Sequence, residues 1–363
     1  MLSFRWNRAR SGVGRASSLA ALIATVGACG SFHTMVLQSP QPTLDWRRET
    51  GVQPSDPRTL RFIAVGDAGD RDPDRDDEPH PNAKLVASKA RAVCAEKGCD
   101  FGIFLGDNVY PAGIDPTGTT GGRKTEAIFR KVTDLYKGVG PLYFVLGNHD
   151  WGPTGLPPYF VSPSTERARR ELALIAGQPE IGSPEVRGRS HFYDFSAGPA
   201  HLFVWDTNYL VQQCQPEGAE DVRCEGGAAA DRGFYDVFSE IGKVGSGPPM
   251  WRIVAGHHPY LSNGEHGNAG SFRDGGLPLY SGEGFRRLFK RHVEGQADLY
   301  LSGHDHNLQA FHGGDLRGTA IVVSGAGSKA NPRGRAVNEA DLMTCDKSLG
   351  FALVEATRSD LSE

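Results

Sequence analysis

Five short apolar runs in this chain end in Gly followed by a residue that can bind a metal ion. They are Phe62-Ile63-Ala64-Val65-Gly66-Asp67, Phe101-Gly102-Ile103-Phe104-Leu105-Gly106-Asp107, Leu142-Tyr143-Phe144-Val145-Leu146-Gly147-Asn148, Ile253-Val254-Ala255-Gly256-His257 and Leu299-Tyr300-Leu301-Ser302-Gly303-His304. Tyr110 lies three positions past Asp107, and His306 two past His304. Oxygen and imidazole ligands suit iron, zinc and manganese, and no Cys lies in these motifs. Asp67, Asp107, Tyr110, Asn148, His257, His304 and His306 are too many donors for one ion. A carboxylate such as Asp107 can bridge two, and a pair of ions about 3.5–4 Å apart is the clamp used for phosphoryl hydrolysis. If Asp67, Asp107, Tyr110 and His306 form one site, its anionic charge and hard phenolate favour a trivalent ion, Fe(III) foremost. The other site would take Asp107, Asn148, His257 and His304. Asn148 is neutral, so that site suits a divalent ion such as iron, zinc or manganese. One Gly-Asp or Gly-His strand end is compatible with a plain turn, whereas five in one chain point to a site.

These donors need elements to aim them. Runs this short and apolar read as buried strands, and parallel sheets place their sites outside the carboxyl ends of the strands. Leu85, Val86, Ala90 and Val93 fall at helical spacing over 83–96, closed by Gly98. Ile128, Phe129, Val132, Leu135 and Tyr136 form a second apolar face, closed by Gly138. The order from 62 to 146 is β-α-β-α-β, a parallel sheet with right-handed crossovers. The second half is mixed. Strands are expected over 191–195 and 201–205 as an antiparallel pair, a loop over 207–232, helices over 234–241 and 283–293, and strands over 319–324 and 351–354. No repeat or composition shift marks a second domain after residue 60.

The chain has 363 residues, 39% of them hydrophobic and 23% charged, as in a soluble globular protein. A net charge of -4 argues against nucleic acid as a partner. Arg5, Arg8, Arg10 and Arg15 precede the apolar stretch Leu19 to Ala28, which is too short to span a membrane and fits a leader of residues 1–28. Small residues before Cys29 resemble a bacterial lipobox, in which Cys29 would be lipidated and tether an exported protein to the periplasmic face or cell envelope. Plain cleavage with secretion is the alternative. Residues 29–59, rich in Pro, Gln and Thr in their course, read as a tether. Export implies an oxidising compartment. Proximity suggests disulfides Cys94–Cys99 and Cys214–Cys224, with Cys345 single, although sequence alone does not fix connectivity.

The motifs Asp67-x-Gly69, Gly106-Asp107-x-x-Tyr110, Gly147-Asn148-His149, Gly256-His257-x-Pro259 and Gly303-His304-x-His306 resemble those of the metallophosphoesterases. Within that group they are similar to the purple acid phosphatases of the small, tartrate-resistant type, over roughly residues 60–330. Other phosphoesterases usually carry Asp-x-His where this chain has Gly69, and lack the Tyr. The resemblance implies an α/β fold, a four-layer αββα sandwich of two mixed β-sheets within one domain over 60–363. It implies the ligand division given above and a charge-transfer band from Tyr110 to Fe(III). It makes His149 and His266 substrate-facing, able to protonate the leaving oxygen, with a metal-bound hydroxide as nucleophile. Asp150 and Asp305 flank ligands and are candidates to support them.

The expected activity is therefore hydrolysis of phosphate monoesters at acidic pH on a small phosphorylated substrate, by a monomer. A phosphodiesterase or nucleotide phosphohydrolase on the same scaffold is the alternative. A surface protein that binds metal or phosphate without turnover is the non-enzyme rival. Three features depart from the resemblance. Ala68 stands where relatives often have Trp, and the Cys214–Cys224 loop and the acidic loop with Asp70, Asp72, Asp74, Asp76, Asp77 and Glu78 are read as this chain's own. That loop is read as solvated, or as guarding the mouth of the site or holding an extra cation.

Overall fold

A computed structural model describes residues 2–5, 18–26, 32–38, 50–52, 54–117, 120–152, 165–176, 191–219, 221–224, 241, 250–271, 282–335 and 337–358. The elements in chain order are β1 (Leu2–Arg5), β2 (Ser18–Val26), β3 (Phe32–Gln38), β4 (Thr50–Val52), β5 (Thr59–Val65), α1 (Pro81–Lys97), β6 (Phe101–Leu105), α2 (Thr120–Leu135), β7 (Leu142–Val145) and α3 (Thr165–Ala176). They continue with β8 (Tyr193–Ala197), β9 (Ala200–Val204), α4 (Thr207–Gln213), β10 (Cys214–Glu217), β11 (Asp221–Cys224), β12 (Trp251–Ala255), α5 (Glu283–His292), β13 (Leu299–Ser302), β14 (Leu308–Phe311), β15 (Ala320–Ser324), β16 (Asp341–Cys345) and β17 (Leu349–Thr357).

Two mixed sheets result. One runs β1-β3-β2-β17-β5-β6-β7 and the other β16-β14-β15-β13-β12-β9-β8-β4. The strands that carry the motifs are parallel within each sheet. β5, β6 and β7 pair in parallel in the first, and β12 and β13 do so in the second. Their carboxyl ends therefore meet along one rim.

The motif strands read as unbroken apolar runs because both of their faces are covered. Phe62 and Ala64 of β5 turn toward the other sheet with Phe101, Ile103 and Leu105 of β6. Ile63 and Val65 face the helices with Val86, Ala87 and Ala90 of α1. In the second sheet, Ile253 and Ala255 join the central layer while Val254 packs with Phe285 and Phe289 of α5. The layers are helix, sheet, sheet, helix, as the resemblance implied. α1 starts at Pro81 behind His80, whose Nδ1 accepts the Asn82 N–H, and ends at Gly98 with φ of 75°, so the sequence placed this helix within two residues.

Several expectations change. The stretch 207–232 is not a plain loop. Asp206 Oδ1 accepts the Tyr209 N–H and caps α4, after which β10 and β11 form a hairpin. Cys94–Cys99 and Cys214–Cys224 are bonded as proximity suggested. Cys345 is not single; it too is disulfide-bonded. The helix expected over 234–241 lies outside the described residues apart from Ile241. So do Cys29 and most of the proposed leader and tether. The stretch Ser18–Val26, within residues 1–28 read as a leader, is a strand antiparallel to β17, and Phe32–Gln38 pairs beside it.

Candidate metal centre

Three of the five strand ends turn through a left-handed residue. Asp67, Asp107 and His304 all adopt positive φ (59°, 56° and 69°), which swings their side chains back over the rim. Non-glycine residues adopt this left-handed conformation uncommonly, Asp and His more readily than most. The preceding glycines leave room for the approach. A Cβ on Gly106 would lie 2.5 Å from His257 Nδ1, and one on Gly147 would lie 2.2 Å from Asp107 Oδ1.

The donors fall into two groups that meet at Asp107. On one side, Tyr110 Oη lies 2.8 Å from both Asp67 Oδ1 and Asp107 Oδ2, and 3.1 Å from His306 Nε2. The phenol has a single proton and can serve only one carboxylate. Burial, and then the charges of Asp107 and Asp67, push the Tyr110 phenol well above its usual range, so ionising it here needs a strong cation. Burial works against a proton on His306, yet the Asp67 carboxylate outweighs it and raises the imidazole above its usual range.

On the other side, Asp107 Oδ1 lies 3.4 Å from His257 Nε2. His257 Nδ1 donates to the Leu105 carbonyl at 2.8 Å, so the neutral ring presents a lone pair at Nε2. That lone pair faces Asn148 Oδ1 at 2.9 Å and His304 Nδ1 at 3.2 Å. Burial, then the neighbouring imidazoles of His266, His258 and His257, hold His304 well below its usual range and so neutral, as a ligand must be. Acceptors facing acceptors in a buried pocket is an arrangement that a cation resolves. Among the described residues, Asp67, Asp107 and His257 offer donor atoms that all lie within 4.8 Å of one another, and all three are buried. The donor set thus fits a hard or borderline metal ion.

All nine sequence-predicted metal and catalytic residues lie around this rim. His149 sits at the mouth, its side chain about one-third exposed and its Nε2 3.8 Å from Asp107 Oδ2. Its Nδ1 lies 2.5 Å from the Pro111 carbonyl. The His266 ring stacks 4.1 Å from His304, tilted by 35°. Asp305 accepts the His266 N–H at 3.0 Å and the Ser262 hydroxyl, fixing the loop that carries His266. Asp150 accepts from Asn108 N (2.8 Å), Val109 N (3.1 Å) and Gly147 N (2.7 Å), tying together the loops after β6 and β7.

The pairing of Gly69 with Tyr110 has a steric cause. A Cβ at position 69 would come within 2.2 Å of the Asn108 carbonyl. The Tyr110 N–H bonds Gly69 O at 3.1 Å, and the Gly69 N–H bonds Asp107 O at 3.2 Å. A His at 69 would force apart the loop that delivers the phenol.

Sequence reasoning missed four supporting residues. Thr207 Oγ1 accepts the N–H groups of both His257 (3.0 Å) and His258 (2.8 Å). Asn108 donates to Glu171 Oε1 at 2.9 Å. Glu171 is fully buried on α3. Lys329 lies over the Tyr110 ring. The acidic loop is tied to helix lysines, with Asp76 to Lys124 at 3.1 Å and Glu78 to Lys131 at 2.9 Å.

The chain is similar to known proteins. A family model described as calcineurin-like phosphoesterase matches residues 60–308. Purple acid phosphatase 17 of Arabidopsis thaliana is 28% identical over 275 residues, covering 75% of this chain and 69% of that protein. Tartrate-resistant acid phosphatase type 5 of Rattus norvegicus is 29% identical over 286 residues, covering 76% and 74%. The solved structure of purple acid phosphatase PPD1 from yellow lupin seeds matches with a TM-score of 0.54 at 15% identity, covering 95% of this chain and 66% of that one. At that identity the likeness concerns the fold alone. With this donor set at the rim of this sandwich, the chain belongs to the calcineurin-like phosphoesterases, on their purple and tartrate-resistant acid phosphatase side, and is a metal-dependent phosphoesterase.

Proposed function

We propose that the protein is a binuclear acid phosphatase that hydrolyses phosphate monoesters. Fe(III) would be held by Asp67, Asp107, Tyr110 and His306, and a divalent ion of iron, zinc or manganese by Asp107, Asn148, His257 and His304. The observation that carries this reading is the division of Asp107, with Oδ2 toward Tyr110 and Oδ1 toward His257. Bound ions would supply an acidified water and neutralise charge developing on the phosphoryl oxygens. The chain's own groups do the rest. Burial opposes charge on Asp107, but the His149 backbone N–H donates to its Oδ1 at 3.0 Å and favours the carboxylate, ready to bridge. With Nδ1 of His149 donating to Pro111 O, its Nε2 carries a proton only in the imidazolium form. That proton is available to a leaving oxygen, and His266 offers a second imidazole across the site.

A panel of monoesters and diesters assayed across pH tests this. Faster monoester hydrolysis with an acidic optimum is expected. Preference for diesters at every pH would move the reading to a phosphodiesterase or nucleotide phosphohydrolase. Export is part of the proposal, by lipidation at Cys29 or by cleavage and release, with the protein acting as a monomer. Mass spectrometry of the exported protein separates lipidation at Cys29 from plain cleavage, and an unmodified residue 1 with residues 1–28 intact would refute the leader.

A further inference from the structure

Lys329 belongs to no motif, yet its ammonium nitrogen lies 3.6 Å from the centroid of the Tyr110 ring. The segment that delivers it is pinned to the strand end that carries Asp67. Gly327 N donates to Gly66 O at 3.1 Å, Ser328 Oγ donates to Asp67 O, and Ser328 O accepts the Asn82 side chain at 3.0 Å. The Asp70 carboxylate lies 3.7 Å from the ammonium. The lysine is about one-third exposed, so its stem is partly packed and its charge sits at the mouth rather than in bulk water.

We infer that Lys329 is a positioning residue that tunes the Tyr110 ligand, by holding a positive charge over the ring on which the ligand's negative charge resides. This rests on the iron–phenolate reading above. A cation attracts the face of a neutral phenol, within about 6 Å of the centroid, and attracts a phenolate more strongly because the ring then bears net charge. The interaction has an optical signature. A charge-transfer transition moves an electron off the ring, and a nearby cation opposes that movement. Lys329 thus raises the transition energy, and its loss should move the band to longer wavelength. Asp70 links this lysine to the acidic loop, so that loop acts on the centre through Lys329.

The test compares visible spectra of the metal-loaded full chain for wild type, Lys329→Met, Lys329→Gln and Lys329→Arg. Methionine keeps an unbranched stem over the ring without the charge, so a packing role alone would leave its band in place. The expected result is a shift to longer wavelength on the order of 10 nm or more in the Met and Gln variants, with the Arg variant close to wild type. A coloured wild type whose band does not move in Lys329→Met overturns this inference alone. A colourless wild type removes the iron–phenolate reading and this inference with it.

Discussion

Glu171→Gln should make the fold more stable at neutral pH and change little at acidic pH. Glu171 is fully buried beneath the loops of the metal centre. Its Oε1 accepts the Asn108 amide at 2.9 Å, while Oε2 meets no hydrogen-bond donor among the described residues. Burial is the main cause that pushes this carboxyl from 4.5 up to about 8; the Asn108 amide pulls the other way. The folded state therefore keeps a proton that the unfolded chain releases between those pH values. A group whose folded pKa is raised contributes its full stability below the unfolded value and loses it as pH rises through the folded one. At about 1.4 kcal/mol per pH unit, the loss from pH 4.5 to 8 reaches roughly 5 kcal/mol for an independent group. Asp150 lies in the same cluster, and the pair shares its titration, so about 2–4 kcal/mol is a realistic range. Glutamine keeps an oxygen for Asn108 and cannot ionise. Urea unfolding of chelator-treated wild type and variant, from pH 5 to 8, gives the comparison without metal linkage. The stability difference should open steadily with pH in favour of the variant. Parallel curves, or a variant that is less stable at pH 8, would refute the buried-carboxyl argument.

Asp107→Ala should release metal from both donor groups and reduce hydrolysis by more than about 100-fold, since losing even an outer partner of a ligand costs roughly 10–100-fold. Metal content per chain and turnover of a monoester check this, and near-normal turnover would exclude a bridging role. His149→Ala and His266→Ala should each lower kcat by about 10²–10⁴-fold for esters with poor leaving groups, and much less for activated aryl esters, because only the former need the proton. Equal losses on both substrate types would assign these rings to binding instead.

The rim of donor side chains was legible because the physics behind it is local. Strands covered on both faces must be apolar throughout, and a turn that points a ligand back over the rim needs Gly before it. Ligand types then carried the chemistry, and the Gly69–Tyr110 pairing proved to be a packing requirement. Residues that act through others left weaker traces. Glu171 lies three residues after Ala168 and four before Ile175, both buried, so helical spacing places it on the buried face of α3. That periodicity could have exposed it, but an acidic residue in a charged helix reads as solvated. Lys329 had no such signal, because a loop after β15 returns it to the end of β5. α4 is only seven residues long, too short for periodicity to reveal it, and Cys345 had no close neighbour in sequence to suggest a partner.

The most direct test of the central claim is metal analysis of the purified protein together with its visible spectrum, repeated on Tyr110→Phe. Two metal ions per chain, one of them iron, and a visible band that Tyr110→Phe abolishes are predicted. A colourless wild type, a single ion per chain, or a band that survives the loss of the phenol would contradict the account.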